Sequence, residues 1–482
     1  MADPVQVFRS LPDSNLFGFP PANAPAPIPP IAVTTSIMRP FNIPDHLFTA
    51  ALDWTVPLTI ATLYAVTVKS LNIYNKAHNK KPWAISKSRP FFAFVVLHNI
   101  FLAVYSAWTF WGMLGGMRRS ILNPMGPEGL VGTADSFCRL HGSSGPGNSV
   151  YYEEASSSWV SLVQGSHIVD GLPSRTETGR MWNEGLAYYG WIFYLSKFYE
   201  VLDTFIILAK GKPSSTLQTY HHAGAMLSMW AGIRYMSAPI WMFVLINSFI
   251  HSLMYFYYTL TAFSIRVPTP IKRTLTSMQI TQFLVGASYA MLHSFVTYTV
   301  PITTRVNAVV QDNAAASSAS VVPVVAANAI DSLKNYILGA AGAAGAAGAA
   351  TAGAEAAAVP SHVETTVIGE TRYITQPCIA TTGETFAIWL NVVYLAPLTY
   401  LFVSFFIASY VKRSNAATKI GGKKTAPSVN DNVLLAEKAG WDAAKGIEKE
   451  VYGGESMVNG SSDETPLTPS PKRSNGKARR RA

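Results

Sequence analysis

The chain has 482 residues and a formal net charge of +10; 49% of its residues are hydrophobic and only 13% are charged. Soluble proteins carry roughly 25% charged residues, and disordered chains contain few apolar ones. This composition excludes both classes and leaves a membrane protein. The two cysteines are too few for a disulfide framework or a cysteine-rich zinc module.

Seven apolar stretches approach the length of about 20 residues that a helix needs to cross a bilayer core. Before them lies a proline-rich segment, residues 1–53, which predicts an extended and mobile arm without a cleaved signal peptide. In chain order the stretches are Trp54–Tyr74, Pro90–Leu114, Leu186–Ala209, Tyr220–Tyr235, Pro239–Phe263, Met278–Val300 and Thr385–Val411. The pattern predicts an all-α integral membrane protein with seven transmembrane helices.

The loops between these stretches differ in charge, which sets the predicted orientation. Three short loops, residues 76–89, 210–212 and 266–273, are basic, whereas the long loops 115–183 and 301–384 are acidic on balance. Because Lys and Arg accumulate on the cytosolic side of a membrane, the short loops and the C-terminus are predicted to be cytosolic. The N-terminus and the long loops are then lumenal.

Two further segments are low in complexity or polar. The uncharged stretch Gly339–Gly353, in the insertion 301–384, could be counted as an eighth span. Ala and Gly gain little from lipid, and an eighth span would place the basic tail outside, so a lumenal linker is preferred. The tail, residues 412–482, is basic and predicts a disordered cytosolic segment that touches anionic lipid.

Both cysteines fall in predicted lumenal loops, Cys138 in the first long loop and Cys378 in the second. The lumen permits disulfide bonds. A bridge between Cys138 and Cys378 is therefore predicted, with two free thiols as the alternative.

Ionisable residues inside spans are costly and indicate function. In the third span Lys197, Glu200 and Asp203 are spaced i, i+3, i+6 and lie within one helix face. The alternative is an ion-pair network that only holds helices together. The fourth span opens with His221 and His222, which point about 100° apart, so that one can act while the other supports it.

The fifth and sixth spans carry further polar side chains. Asn247 and His251 are i, i+4 neighbours on one face of the fifth span. The sixth span repeats Thr276, Gln279 and Gln282 at every third position, which favours either substrate contact or hydrogen bonds between helices. All four polar groups are predicted in the cytosolic half or the middle of the membrane. Together they predict one polar chamber open to the cytosol, suited to an acyl-coenzyme A.

Four ordered motifs contain these residues: Lys197–Thr204, Gln218–His222, Asn247–Tyr258 and Thr276–Phe283. They resemble the KxxExxDT, HxxHH, NxxxHxxMYxYY and TxxQxxQF motifs of the ELO family of very-long-chain fatty acid elongases (3-oxoacyl-CoA synthases). The likeness covers Trp54–Thr299 and Thr385–Arg413. Gln218 replaces the first histidine of the second motif, as in the QxxHH box of fungal or lower-eukaryote elongases.

The resemblance implies a fold in which six of the seven helices form an inverted barrel around an acyl tunnel. It implies an endoplasmic reticulum enzyme that condenses a long-chain fatty acyl-CoA with malonyl-CoA into a 3-oxoacyl-CoA longer by two carbons, releasing CO2 and CoA. No cofactor and no metal are expected besides these substrates. The expected partners are membrane lipid and the reductase and dehydratase of the elongation cycle, without nucleic acid; a homo-oligomer is left open.

With both cysteines predicted to be lumenal, imidazole must replace the cysteine thiolate of soluble condensing enzymes. We expect His221 or His251 to take the acyl group as an acyl-imidazole, while His222 and Asn247 assist malonyl decarboxylation. The residues expected to orient these groups are Lys197, Glu200, Asp203, Gln218 and Tyr258. The residues expected to bind substrate are Tyr255, Thr276, Gln279 and Gln282, although packing is the simpler interpretation of the tyrosines.

Two other functions are weighed against this one. A di-iron desaturase or hydroxylase would need about eight histidines in three clusters, whereas only His221, His222 and His251 of the ten histidines lie in the motifs. His98 and His293 are isolated span residues that favour packing. A transporter or receptor also suits seven spans, but transporters are often built from internal repeats, and no repeat is visible here.

Overall fold

The computed structural model describes residues 6–21, 23–163, 167–310 and 364–420. The predicted Gly339–Gly353 linker and the tail beyond Ile420 lie outside the described residues. The described chain is mostly helical. Its α-helices are α1 Asp45–Ala51, α2 Thr55–Ala77, α3 Arg89–Ser120, α4 Gly129–Cys138, α5 Ala187–Tyr199, α6 Val201–Ala209, α7 Thr216–Arg234, α8 Ile240–Met242, α9 Ser248–Ala262, α10 Thr269–His293 and α11 Thr382–Ile420.

Three of the described helices are long and apolar enough to cross a membrane: Thr55–Ala77, Arg89–Ser120 and the continuous stretch Ile240–Ala262. The third stretch joins α8 to α9 through a π-helical turn, Phe243–Asn247. The other predicted spans fall on α5 with α6, on α7, on α10 and on α11. The count of seven transmembrane helices and the six-helix barrel stay predictions.

The short loops between helices meet at one end of the molecule. The backbone N–H of Trp83, between α2 and α3, donates to the carbonyl of Ala209 at the end of α6, at 2.9 Å. The rings of Phe92, in the first turn of α3, and Phe263, just after α9, lie 6.2 Å apart. Successive long helices therefore run in opposite directions, and the longer connections lie at the other end.

At that other end the long connections form a layer, here called the loop layer (the described residues of 6–44, 121–181, 294–310 and 364–381). Three small antiparallel sheets lie in it, with strand orders β1-β7-β8, β2-β3-β4 and β5-β6. The strands are β1 Val7–Arg9, β2 His141–Gly142, β3 Ser149–Glu153, β4 Ser158–Ser161, β5 Ile168–Val169, β6 Leu172–Pro173, β7 Val296–Val310 and β8 Glu364–Pro377. The prediction of an all-α chain is therefore wrong for this layer.

The boundaries of the last two predicted spans also differ from the structure. Helix α10 begins at Thr269 and ends at His293, and residues 296–300 belong to β7 instead of the sixth span. The run that follows is rich in Val, Thr and Ile, which favour strands over helices. Helix α11 continues to Ile420, so the first residues of the predicted disordered tail are helical.

The predicted mobile N-terminal arm instead packs on the helices. The indole N–H of Trp182 donates to the carbonyl of Ile28 at 2.9 Å, and the hydroxyl of Tyr189 donates to that of Met38 at 2.7 Å. Arg234 donates to the carbonyl of Pro25 at 2.7 Å. A proline-rich chain leaves its carbonyls without helix or sheet partners, and buried carbonyls need donors. Side chains of the helical bundle supply them here.

A buried polar cluster fastens α4 to the sheet of β7 and β8. Arg180 Nη2 lies 2.6 Å from Asp135 Oδ2, and the hydroxyl of Tyr298 donates to Asp135 Oδ1 at 2.9 Å. Beside this cluster a disulfide joins Cys138 to Cys378, with their Cα atoms 4.8 Å apart. The end of α4 is thereby fixed to the segment that leads into α11.

Candidate active site

The polar residues predicted in the third and fifth spans meet inside the helical bundle. Lys197 Nζ donates to Glu200 Oε1 at 2.7 Å and to Asn247 Oδ1 at 3.1 Å, and the hydroxyl of Ser196 also donates to Glu200 Oε1. The Lys197 and Glu200 side chains are only 5% and 4% exposed. A buried charge pair is retained only when further hydrogen bonds satisfy it, and Ser196 and Asn247 provide these. His251 Nδ1 lies 3.7 Å from Glu200 Oε1, too far for a hydrogen bond.

Local geometry allows this meeting. Glu200 stands at the junction between α5 and α6, and Asn247 ends the π-helical turn before α9. Such turns occur often at functional sites because they shift the register of a helix. Asn247 is thus brought toward the ion pair on the neighbouring helix.

Asp203 forms a second polar contact set, about one turn further along. Its Oδ2 accepts from the hydroxyl of Tyr255 at 2.5 Å, and its Oδ1 lies 2.8 Å from Nε2 of His98. The interpretation of His98 as an isolated packing residue is therefore wrong. Helices α3, α6 and α9 are joined through this carboxylate.

His221 occupies a different surrounding, on the side of α7 that faces α11. Its Nδ1 lies 2.9 Å from the hydroxyl oxygen of Tyr394, and that hydroxyl donates to the backbone carbonyl of His221, also at 2.9 Å. The ring of Phe283 on α10 contacts the imidazole edge-on, with centroids 5.9 Å apart. The imidazole is therefore held by α10 and α11 as well as by its own helix.

The rest of the predicted box packs toward α2 and α6. The ring of His222 lies edge-on to Tyr64, with centroids 6.1 Å apart, and 5.5 Å from the ring of His221. The amide of Gln218 donates to Thr204 Oγ1 at 3.1 Å, and Tyr64 shares that hydroxyl at 2.9 Å. Gln218 thus acts as a hydrogen-bonding support between α7 and α6.

The residues predicted on the sixth span, and Tyr258 of the fifth span, make different contacts. Gln282 Oε1 accepts from the Asn247 amide at 3.4 Å, whereas Gln279 donates to Met254 Sδ at 3.2 Å. The side chain of Thr276 lies outside the described residues. Tyr258 packs against Tyr255, with ring centroids 6.0 Å apart. Gln282 lines the same cavity as Lys197.

A cavity of about 40 Å³ lies between α5, α7, the π-helical turn Phe243–Asn247, α10 and α11. Its polar lining comes from Lys197, His221, Asn247, Gln282, Asn391 and Tyr394. Its apolar lining comes from Phe193, Ala225, Met229, Phe243, Phe283 and Leu395. This volume holds water but not an alkyl chain, so a lipid chain can occupy it only after the apolar side chains move.

Two of these lining residues, Asn391 and Tyr394, are absent from the sequence-based site. Both lie on α11, three positions apart, and are 4% and 8% exposed. Oδ1 of Asn391 has no hydrogen-bond partner in the described part of the chain. Their i, i+3 spacing in an apolar span is a local signal, but neutral polar side chains are too common in membrane helices for it to identify them.

Metal binding was one of the alternatives raised by the histidines. Among residues 6–310 and 364–420, apart from those not described, no three His, Cys, Asp or Glu side chains are grouped so that they could hold a metal ion. The groups that could take part in a reaction here are an imidazole, an ammonium group and amides around one small cavity.

Known proteins share parts of this sequence. The profile of the GNS1/SUR4 family matches residues 49–418. Putative fatty acid elongase 2 of Schizosaccharomyces pombe is 34% identical over 121 residues, which are 25% of this chain and 33% of that protein. Fatty acid elongase sre1 of Dictyostelium discoideum is 38% identical over 104 residues, which are 21% of this chain and 38% of that protein.

A human protein gives a similar match. Very long chain fatty acid elongase 3 of Homo sapiens is 33% identical over 110 residues, which are 23% of this chain and 41% of that protein. The chain thus matches about a third to two-fifths of the length of these relatives.

The range matched by the family profile is much longer than these local alignments. Residues 49–418 include every residue that lines the cavity and all three apolar helices. The chain belongs to the GNS1/SUR4 (ELO) family of integral membrane proteins.

Proposed function

We propose that the protein is a fatty acid elongase that condenses a long-chain fatty acyl-CoA with malonyl-CoA to a 3-oxoacyl-CoA. The observation that carries the proposal is the cavity at which His221 meets Lys197, Asn247 and Gln282. An imidazole supplies the nucleophile, and the ammonium and amide groups can stabilise negative charge. The names of the relatives, all of them fatty acid elongases, agree with this chemistry.

In the first step, Nε2 of His221 attacks the thioester carbonyl of the acyl-CoA. The C–S bond breaks, the CoA thiolate leaves and takes a proton from solvent, and an acyl-imidazolium forms on the ring. Nδ1 cannot be the nucleophile, because it already lies within hydrogen-bond distance of the Tyr394 hydroxyl. The two cysteines form a disulfide in the loop layer, so neither supplies a thiolate.

In the second step, malonyl-CoA loses CO2 and leaves the enolate of acetyl-CoA. Lys197 and Asn247 both line the cavity, and Lys197 Nζ lies 3.1 Å from Asn247 Oδ1. These two side chains stabilise the enolate oxygen. The enolate carbon attacks the acyl carbonyl, and the C–N bond to His221 breaks. The neutral imidazole and the 3-oxoacyl-CoA result. Glu200 holds Lys197 in place, and Asp203 holds Tyr255 and His98. His251 lies beside Glu200 and can transfer protons.

The proposed setting is the endoplasmic reticulum membrane, with the basic short loops on the cytosolic side. His221 lies only five residues into α7, about 8 Å from the short-loop end of that helix at 1.5 Å per residue. The headgroup of a cytosolic CoA ester can therefore stay in water while its thioester reaches the ring. Its product, a 3-oxo thioester, needs a reductase and then a dehydratase.

Replacing His221 with Ala tests the proposal. Because the nucleophile is lost, we expect condensation of labelled malonyl-CoA with acyl-CoA to fall by at least about 100-fold in purified protein. The matched control is His46→Ala, since His46 is exposed on α1 at the opposite end of the bundle and should leave the rate unchanged. A His221→Ala variant with half or more of the wild-type rate would exclude His221 from the chemistry.

A further inference from the structure

The contact between Tyr394 and His221 is unusual because one hydroxyl meets two atoms of the same residue. Tyr394 Oη lies 2.9 Å from the imidazole Nδ1 and 2.9 Å from the backbone carbonyl oxygen of His221. The tyrosine belongs to α11 and the histidine to α7, 173 residues apart in the chain. The tyrosine is 8% exposed, so water has little access to the contact.

Counting protons settles the direction of both hydrogen bonds. A hydroxyl has one proton to donate and can also accept, whereas a carbonyl can only accept. The contact with the carbonyl therefore uses the tyrosine proton. The contact with Nδ1 then needs a proton from the ring, so both bonds form together only when Nδ1 carries hydrogen. Which nitrogen of a neutral imidazole is protonated depends on the hydrogen bond that the other makes.

We propose that Tyr394 is a positioning residue that holds His221 in the Nδ1–H tautomer, so that the lone pair of Nε2 faces the cavity and accepts the acyl group. This inference rests on the function proposed above. Nε2 has no hydrogen-bond partner in the part of the chain that the structure describes, and His221 lines the cavity together with Tyr394. The same bond stabilises the acyl-imidazolium, whose positive charge strengthens the Nδ1–H donor.

The rings beside it and the lack of a side chain at Gly224 set the place of the Tyr394 ring. The ring of Tyr220 lies 5.6 Å from that of Tyr394, a contact that a phenyl ring would keep, whereas the Tyr220 hydroxyl meets only the backbone carbonyl of Tyr394, at 3.1 Å. Gly224 leaves room for the ring: a Cβ there would lie 2.2 Å from Cε2 of Tyr394. Helices α7 and α11 thus approach closely at the position where the hydroxyl must reach the imidazole.

The test compares Tyr394→Phe with Tyr220→Phe. Each variant removes one hydroxyl from the same interface, but only the first touches the imidazole. The first readout is single-turnover release of CoA from acyl-CoA without malonyl-CoA, which isolates acylation of the ring. We expect Tyr394→Phe to slow acylation by about 10- to 100-fold, and Tyr220→Phe to remain within about twofold of wild type.

The second readout does not depend on activity. Histidine labelled with ¹⁵N reports which ring nitrogen carries the proton, and the His221→Gln spectrum assigns the signals. We expect a protonated Nδ1 in the wild type and in Tyr220→Phe, and a proton moved to Nε2 in Tyr394→Phe. Acylation at the wild-type rate in Tyr394→Phe, or an unprotonated Nδ1 in the wild type, would overturn the inference.

The two proposals fail in different ways. If the wild type neither cleaves acyl-CoA nor condenses malonyl-CoA, the proposed function is wrong, and with it the catalytic part of the inference, whatever the ¹⁵N spectra report. If the wild type is active and the tautomer is unchanged in Tyr394→Phe, the function stands and the role of Tyr394 is wrong.

Discussion

Some residues of the candidate site can be identified from the sequence alone, and others cannot. Lys197, Glu200 and His221 stand out because a charged or titratable group in an apolar stretch is costly and needs a reason. Tyr394 and Asn391 do not stand out, since neutral polar side chains are common in membrane helices. Their part in the site depends on how α11 packs against α7, which no local pattern encodes. The proposed chemistry thus combines residues that the sequence reveals with residues that only the packing reveals.

Outside the membrane helices, His141 makes the stability of the loop layer depend on pH. Its ring is buried between Trp159 and Trp182, with centroids 5.1 and 5.6 Å away. Burial, and then the charge of Arg180, lower the pKa of His141 to about 3. The unfolded chain, with a histidine pKa near 6.5, binds the proton more readily. The contribution of the buried, neutral His141 to the stability is therefore fully present above about pH 6.5 and is lost as the pH falls toward 3.

We expect the wild type to lose about 2 kcal/mol of stability between pH 7 and pH 5 from this group. The measurement is the thermal unfolding midpoint in detergent at both pH values. His141→Phe removes the titrating ring and should reduce the drop, whereas His46→Phe, at an exposed position, should keep it. An equal drop in wild type and His141→Phe would show that another group controls the acid sensitivity.

At the scale of elements, hydropathy located the helices better than their ends. The apolar run 278–300 contains both the second half of α10 and the start of β7, because hydropathy does not distinguish a buried strand from a buried helix. Close contacts between helices are also invisible in such a pattern. Gly224 is one example, since its missing side chain sets the distance between α7 and α11.

Gly224→Ala should therefore reproduce part of the Tyr394→Phe defect. In a helix interior the change favours folding by about 1 kcal/mol, but the new Cβ would collide with the ring of Tyr394. We expect condensation to fall by about tenfold or more because the hydroxyl moves away from His221. Gly115→Ala on α3 is the control, as its Cβ would meet only Arg119 Nη1 at 3.4 Å. Equal activity in both variants would mean that α7 and α11 can separate without harm.

At the scale of the whole molecule, the sequence indicated a membrane protein with a polar chamber, and the family match agrees with the first part. The packed arm and the three small sheets were not foreseen, because both depend on contacts between distant segments. Trp182, for instance, meets the carbonyl of Ile28, 154 residues away. The cavity of about 40 Å³ is likewise a property of the assembled helices rather than of any motif.

The disulfide is a long-range tie whose removal should be measurable. Cys138 and Cys378 are 240 residues apart, so the bond restricts a large part of the unfolded chain. Replacing both by Ser should destabilise the protein by about 2–5 kcal/mol and lower the unfolding midpoint. The wild type in reducing agent should match the double variant, which itself should not respond to the reagent. Equal midpoints with and without the bond would show that the buried Arg180–Asp135 cluster suffices.

The antiparallel pairing of β7 with β8 brings Val310 opposite Glu364, so the two ends of the connection between these strands lie side by side. Each doubling in the length of a connecting loop adds only about 0.6 kcal/mol of closure cost. Insertions and deletions between these two positions are therefore expected to leave the cavity between the helices unchanged. Length variation among members of the family is expected to concentrate there, as a neutral record of their divergence.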